Sequence, residues 1–152
     1  MILETALMCM AANIYFEAKN ESKLGQLAVA QVVINRMYDH RYPNTVCDVV
    51  KQGLTYKNGK VVLGKCQFSW YCDGKKDVIW ANYERTGKSI KLNAEAWRKS
   101  VEVAIWTLGY GSYTVNDNTG GALYYYAHNL VYPYWADHKQ LTVVIGNHTF
   151  MK

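Results

Sequence analysis

An unusually apolar stretch at residues 11–36, AANIYFEAKNESKLGQLAVAQVVINR, constrains the fold of this chain more than any other segment. Its second half, LAVAQVVI, has few polar interruptions, which is typical of a helix buried on most sides. Upstream, apolar residues recur every three or four positions, as on one face of a helix, at Leu3, Leu7, Met10, Ala11, Ile14 and Ala18. We therefore predict one helix ending near Ala18, a polar corner at residues 19–22, and a largely buried helix over residues 23–37.

Glu17 lies at the end of the first predicted helix, on the edge of its apolar stripe and nearly in line with Met10. A carboxylate there faces the interior or a cleft, and desolvation raises its pKa above the value of about 4.3 that a free glutamate has. A general acid that works near neutral pH needs this property. The alternative is a partly buried Glu17 paired with a nearby Lys or Arg. Glu21 has a structural explanation, because it lies close to the positive N-terminal end of the second helix.

Two amides on the second predicted helix are further candidates. Gln31 and Asn35 are four residues apart, so they share a face of that helix. Buried amides need hydrogen-bond partners. These two either hold backbone groups or line a polar cleft together with Glu17.

Two more helices are predicted downstream. A short one begins at a cap provided by Asn44 or Thr45. The polar residues 73–92 are predicted to be irregular and to end at a cap, Asn93. A longer helix then runs up to Gly109, as indicated by the helical spacing of Trp97, Val101, Ala104, Ile105 and Leu108.

Extended structure is predicted in the remaining apolar segments. The dipeptide Asn58-Gly59 between short apolar runs is the strongest short-range signal of a β-hairpin. The block CQFSW at residues 66–70 alternates polar and apolar side chains, as an extended segment does. Residues 122–127, with three tyrosines, and residues 141–145 predict two strands, and the chain turns back after the second of them at Gly146-Asn147.

Composition narrows the class of protein. The chain has 152 residues, of which 50% are hydrophobic, and no repeat or linker, so residues 1–152 are predicted to form one domain. The formal net charge is +5, but the basic residues are scattered, which argues against a nucleic-acid partner. No apolar run approaches the ~18 residues of a membrane span, so no membrane insertion is predicted. Because the N-terminus lacks a basic region and Glu4 interrupts it, we expect no Sec signal peptide.

Neither the cysteines nor the histidines form a metal-binding pattern. Cys9 lies beside the apolar stripe and is predicted to be a buried free thiol. Cys66 and Cys72 are six residues apart with no CxxC, so the zinc signal is weak. A ten-residue spacing, unlike that of metal ligands, separates His128, His138 and His148. Nucleotide-binding fingerprints are absent as well, and we predict neither a metal nor a cofactor.

Several separate blocks of sequence together resemble the SleB/CwlJ-type cell-wall hydrolase family. The blocks follow the family's order over almost the whole chain: IYFEA, KNES, KLGQLAVAQVVINR, RYPNTVCDVV, CQFSWYCDG, GALYYYAHN, PYW and IGNHTF. The resemblance implies an α+β, lysozyme-like fold, with helices around a catalytic Glu corner and small antiparallel β elements. It also implies an enzyme that cuts peptidoglycan between N-acetylmuramic acid and N-acetylglucosamine, in characterised cases as a lytic transglycosylase.

By this resemblance, the catalytic acid is Glu17, the Glu of the family's Y-x-E-A block. The family usually continues E-A-R-G-E, whereas this chain has EAKNE. Lys19 keeps a positive charge where Arg is usual. Asn20 replaces Gly, and Asn is the residue other than Gly that best tolerates a left-handed corner.

The same resemblance supplies the remaining candidate site residues. It places one block in the substrate cleft, with the candidate substrate-binding residues Gln67, Phe68, Ser69 and Trp70. From the residues alone, Phe68 and Trp70 fit a hydrophobic core equally well. The aromatic and histidine residues of the C-terminal blocks add the candidates Tyr126, His128 and His148.

One disulfide is also implied by the family blocks. Because CDVV and CQFSWYC belong to adjacent blocks, Cys47 is expected to pair with Cys66 or with Cys72. The bond would form after exposure to an oxidising compartment.

The expected reaction is glycan cleavage with Glu17 as acid and then base. Simple hydrolysis normally needs a second carboxylate, and the matching blocks offer no clear one, which favours transglycosylation through the substrate's own 6-hydroxyl. The alternatives are a hydrolytic muramidase or glucosaminidase that uses Glu17 with Glu21 or Asp73, and a non-catalytic glycan-binding module. We expect a monomer made in the bacterial cytoplasm that acts on the wall after release. It is a phage-type lysis protein released by another factor, an internal bacterial protein, or a mature form stripped of its leader.

Overall fold

A computed structural model describes residues 5–79, 87–109 and 116–152, and the side chains of all of these except residues 87–93. Two 3₁₀ segments, Ser69–Cys72 and Tyr134–His138, accompany the main elements. Within the described ranges, no helix has both the length and the apolar character that crossing a membrane requires. The helices are α1 (Ala6–Ala18), α2 (Lys23–Tyr38), α3 (Val46–Lys51) and α4 (Gly87–Thr107), and the strands are β1 (Gly53–Thr55), β2 (Val61–Cys66), β3 (Tyr124–Ala127), β4 (Leu141–Ile145) and β5 (His148–Met151).

The predicted helix–corner–helix unit is confirmed as α1 and α2. Ser22 caps α2 by accepting a hydrogen bond from the backbone N–H of Gly25 at 3.2 Å. One side of α2 packs with α1, α3 and α4 in the main core. Its other side, at Val29 and Val32, packs against Phe150 of β5 in a second core. The helix therefore lies between two cores, which explains why its sequence is apolar nearly all round.

The strands form two small antiparallel sheets. The predicted hairpin around Asn58-Gly59 is confirmed as the pair β1–β2. The second sheet has the order β3-β5-β4, with the buried strand β5 in the middle. In the register of β3 and β5, Tyr125 lies opposite Phe150, so the second core positions a tyrosine near the end of α1.

Two predicted boundaries are wrong. Residues 66–70 are not one extended segment, because β2 ends at Cys66 and a 3₁₀ turn begins at Ser69. The long helix α4 begins at Gly87, well before the predicted cap at Asn93, so the irregular segment ends earlier. Residues 80–86 of that predicted segment lie outside the described residues.

Both cysteine predictions are wrong. Cys9 is not a free thiol but forms a disulfide with Cys47, because α3 packs on α1 and brings the two Cα atoms to 5.3 Å. Cys66 and Cys72 pair with each other across the turn that follows β2, with Cα atoms 6.0 Å apart.

Candidate active site

The site is built around Glu17 in the last turn of α1. The hydroxyl of Tyr125, on β3, donates a 2.6 Å hydrogen bond to Oε2 of Glu17. The side chain is partly exposed at a cavity wall, while protein surrounds most of its carboxyl group. Burial raises the pKa of Glu17, and the Tyr125 hydrogen bond and the charge of Arg36 oppose this without cancelling it. The net effect favours the protonated form that a general acid requires.

Tyr125 is the residue that the sequence prediction missed. The centre of its ring lies 5.1 Å from that of the His148 ring and 5.6 Å from that of the Phe150 ring. Burial, and then the neighbouring Glu17, raise the pKa of Tyr125 well above its ordinary value, so the phenol stays protonated and donates to the carboxyl. Strand alternation places Tyr125 on the opposite face from Tyr124 and Tyr126, but which face meets Glu17 is known only from the register of β3 and β5.

Removing the Tyr125 hydroxyl should change the pH profile in a defined direction. Because its hydrogen bond lowers the pKa of Glu17, Tyr125→Phe is expected to raise that pKa further. The limb of kcat/KM that requires protonated Glu17 should then move to higher pH. Tyr126→Phe is the matched control, since the Tyr126 ring contacts Tyr132 and Trp135 instead. An alkaline limb that moves equally in both variants, or in neither, would contradict the assigned contact.

A cavity of about 230 Å³ opens beside the Glu17 carboxyl. Glu21 lies in its wall, where Oε1 is 3.8 Å from Nδ1 of His148 and Oε2 accepts a 3.4 Å hydrogen bond from the backbone N–H of Asn147. Burial lowers the pKa of His148, and the charge of Glu21 only partly opposes this, so the neutral imidazole is favoured near pH 7. Glu21 thus joins the corner between α1 and α2 to the β4–β5 turn, a contact beyond its predicted role near the helix end.

Gly146 lets the Glu21 carboxylate approach the β4–β5 turn closely, so replacing Gly146 should lower the stability of the protein. The φ of Gly146 is +58°, and an added Cβ would collide with Oε2 of Glu21. Gly146→Ala is expected to lower the free energy of unfolding by about 1–3 kcal/mol. Backbone strain accounts for about 1–2 kcal/mol, and the rest comes from the Asn147 contact that is lost when the flexible Glu21 carboxylate moves aside. Gly59→Ala is the matched control, because Gly59 also has a positive φ, +81°, but nothing lies within 4 Å of its Cβ position. If urea denaturation shows that both variants lose the same free energy of unfolding, the Glu21 contact adds nothing to the cost of Gly146→Ala.

The two amides of α2 do not line the cavity beside Glu17. The Gln31 amide donates to Oδ1 of Asn35 at 3.1 Å. The Asn35 amide donates to the Asp117 carboxylate, to Oγ1 of Thr119 and, at 2.9 Å, to the carbonyl of Ala122. Of the two interpretations, the structure supports the one in which these amides hold nearby backbone and turn groups.

Residues 67–70 divide into core and surface. Phe68 is 2% exposed and Trp70 is 6% exposed, so both belong to the main core and are buried away from a substrate. Trp70 donates its indole N–H to Oδ1 of Asn13 at 2.9 Å. Their predicted role in substrate binding is therefore corrected to a packing role. Gln67 and Ser69 are exposed, and Gln67 lines a second cavity.

The C-terminal candidates lie in different places. His148 lies in the wall of the Glu17 cavity, and its role in binding stays a prediction. Tyr126 lies on the other face of β3 from Tyr125, against Tyr132 and Trp135. His128 is exposed, and its Nδ1 lies 3.1 Å from the hydroxyl of Thr149. Across the part of the chain that the structure describes, no three His, Cys, Asp or Glu side chains are grouped so that they could hold a metal ion.

Comparison with known proteins assigns the family. A model of the cell wall hydrolase family matches residues 20–151, which is most of the chain. The chain belongs to the cell wall hydrolase family. The family predicted from the sequence blocks is therefore confirmed. The matched region begins after Glu17, so the role of that residue rests on its geometry and on the motif around it.

Solved structures of cell wall hydrolases support the fold. The chain is similar to the catalytic domain of the germination-specific lytic transglycosylase SleB from Bacillus anthracis, with a TM-score of 0.61, 28% identity, and coverage of 99% of this chain and 97% of that one. The catalytic domain of SleB from Bacillus cereus matches with a TM-score of 0.57, 26% identity, and coverage of 97% and 89%. The predicted α+β, lysozyme-like fold class is confirmed.

A curated relative of this chain is a longer protein. The spore cortex-lytic enzyme of Bacillus cereus is 28% identical over 147 residues, which cover 96% of this chain but 44% of that protein. The chain thus spans less than half the length of this relative.

Proposed function

We propose that this protein cleaves the glycan strand of peptidoglycan between N-acetylmuramic acid and N-acetylglucosamine as a lytic transglycosylase. The observation that carries the proposal is the Glu17 carboxyl, which accepts the Tyr125 hydroxyl at 2.6 Å beside an open cavity and has a pKa raised by burial. The domain relatives named as lytic transglycosylase and cortex-lytic enzyme support the same reaction. A module that only binds glycans would gain nothing from a desolvated acid at this position.

In the proposed reaction, Glu17 acts twice. It first gives its proton to the glycosidic oxygen, and the bond to the anomeric carbon breaks through an oxocarbenium-like state. The Glu17 carboxylate then takes the proton of the muramic acid 6-hydroxyl, whose oxygen forms the new bond to the anomeric carbon. The products are a 1,6-anhydro sugar and a free 4-hydroxyl, and Glu17 ends protonated as it began. Water takes no part.

A hydrolytic reaction remains the second candidate, because Glu21 lines the same cavity as Glu17. Its carboxylate already contacts Asn147 and His148, which favours a structural role. Asp73, the other carboxylate predicted for hydrolysis, is exposed, accepts a hydrogen bond from the backbone of Lys75, and is not part of this cavity.

Product analysis tests the proposal directly. Purified peptidoglycan is digested with the wild-type protein, and the soluble fragments are identified by mass spectrometry. Transglycosylation gives fragments that end in 1,6-anhydromuramic acid, whereas hydrolysis gives ordinary reducing ends that are heavier by one water. Reducing ends alone would replace the proposal by a hydrolase that uses Glu21. A folded protein that releases nothing would point to a binding module.

The setting of the reaction is part of the proposal. We propose a monomer that acts on the cell wall after release from the cytoplasm, as a phage lysis protein does. Growth of a bacterial host that expresses the chain, with and without a separate pore-forming lysis protein, tests the route. Lysis without any pore-forming partner would overturn it.

A further inference from the structure

A second cavity, of about 320 Å³, adjoins the site and is not used by the reaction described above. It is lined by Arg36, Gln67, Tyr124, Tyr125, Trp135 and Lys139. Because Tyr125 also donates to Glu17, a group bound in this cavity lies one side chain away from the catalytic acid. The cavity is therefore placed to hold a part of the same substrate molecule that Glu17 cleaves.

Arg36 carries a buried charge that the protein itself leaves incompletely satisfied. It is 5% exposed, and its Nε donates a 2.8 Å hydrogen bond to the carbonyl of Leu123. Its Nη1 is buried without a hydrogen-bond partner, and no carboxylate of the described residues forms an ion pair with it. The guanidinium instead packs over the rings of Tyr42, Phe68 and Tyr124. Glu17 attracts the guanidinium through its charge but does not form an ion pair with it. A buried cation without a contacting counter-ion is unfavourable unless an anion is supplied.

Lys139 brings a second positive charge to the same cavity. Its Nζ lies 4.2 Å from the centre of the Tyr124 ring, and the side chain is half-buried at the end of the second 3₁₀ segment. The lining residues include two cations, an amide and three aromatic rings, but no carboxylate. Such a lining suits a ligand that has an anionic group for the two cations and an uncharged part that packs against the aromatic rings.

We propose that the cavity binds a free carboxylate of the peptidoglycan substrate, with Arg36 and Lys139 as its cationic partners and Trp135 as a wall. This inference rests on the proposed function, since the neighbouring acid acts on muramic acid. Two sources supply the carboxylate. One is the lactyl group of a muramic acid without peptide, and the other is the peptide attached to that lactyl group. In both cases the carboxylate extends from the sugar whose bond Glu17 cleaves.

Binding of small probes tests the cavity without any cleavage. The indole N–H resonance of Trp135, assigned with Trp135→Phe, is followed during titration with three compounds. These are N-acetylmuramic acid, which has the lactyl carboxylate, muramyl dipeptide, which has the peptide carboxylate, and N-acetylglucosamine, which has neither. We expect a saturable shift with one or both acids and none with N-acetylglucosamine. A response to N-acetylmuramic acid identifies the lactyl source, and a response to muramyl dipeptide alone identifies the peptide.

A charge-neutral variant makes the test specific. Lys139→Met should weaken binding of the responding acid about tenfold, as expected for loss of one charge-assisted contact. Lys60→Met is the matched control, because Lys60 is exposed beside the hairpin turn and should leave the affinity unchanged. The proposal fails if neither acid shifts the resonance, if N-acetylglucosamine shifts it equally, or if Lys139→Met binds as well as the control.

Cleavage of modified peptidoglycan separates this inference from the proposed function. Coupling the free carboxylates of peptidoglycan to methylamine should lower the wild-type kcat/KM about tenfold, with a much smaller effect on Lys139→Met. Equal wild-type cleavage of both substrates would overturn the carboxylate site while leaving the enzyme assignment intact. Cleavage of neither substrate by the wild type, with probe binding retained, would overturn the enzyme assignment alone.

Discussion

Replacing Glu17 by Gln is expected to lower the rate of glycan cleavage by about 10²- to 10⁴-fold, the range typical for loss of a general acid. The amide oxygen of Gln can still accept the hydrogen bond from the Tyr125 hydroxyl, so the local packing is kept. Since burial disfavours the charged carboxyl, the neutral amide should leave the thermal unfolding temperature unchanged or slightly raised. The measurement is release of soluble fragments from purified peptidoglycan, with circular dichroism of the same samples.

Glu21→Gln is the matched control for this experiment, because it neutralises the other carboxylate of the same cavity. Transglycosylation by Glu17 predicts a much smaller loss of rate in Glu21→Gln than in Glu17→Gln. Comparable losses in the two variants would favour the hydrolytic alternative. A Glu17→Gln protein that unfolds would return Glu17 to the ion-pair interpretation.

Of the two disulfides, Cys9–Cys47 is expected to contribute more to the stability of the protein. It closes a loop of sequence separation 38, whereas Cys66–Cys72 closes one of 6. Loop-closure entropy then predicts losses of about 4 kcal/mol for Cys9→Ala with Cys47→Ala, and about 2 kcal/mol for Cys66→Ala with Cys72→Ala.

Chemical denaturation of the oxidised wild type and the two double variants gives the comparison. The reduced wild type is a further control, because it keeps the buried cysteine volume at Cys9. Stability that does not change when Cys9–Cys47 is removed, or that falls more when the short loop is opened, would contradict this ranking.

Local sequence patterns predicted the helices and strands well, because each carries its own periodicity or turn chemistry. The apolar run of α2 and the Asn58-Gly59 hairpin are examples. The start of α4 was missed because its first turns are polar, and the amphipathic pattern becomes clear only near Trp97. The pairing of Cys9 with Cys47 depends on the packing of α3 on α1, which sequence spacing does not encode, whereas Cys66 and Cys72 pair locally across the turn that follows β2.

The candidate site was only partly predictable. The position of Glu17 followed from helical periodicity, but its partner Tyr125 is 108 residues away, and three adjacent tyrosines give no reason to choose the middle one before the strand register is known. Phe68 and Trp70 fitted both a sugar platform and a core, and only their burial decides for the core. The sequence did not indicate that Arg36 is a buried site residue, because a cation at the end of a helix is usually exposed.

The hydrogen bond between Tyr125 and Glu17 joins two halves of the molecule, the helices α1–α4 and the sheet of β3, β4 and β5. Glu17 belongs to the helical half and Tyr125 to the sheet half, which meet through Phe150, Val29 and Val32. A small rotation of one half against the other would separate donor from acceptor without breaking a backbone hydrogen bond in either. Enzyme activity therefore depends on how closely the two halves pack together. On gentle heating, it should decline before the helical circular dichroism signal does.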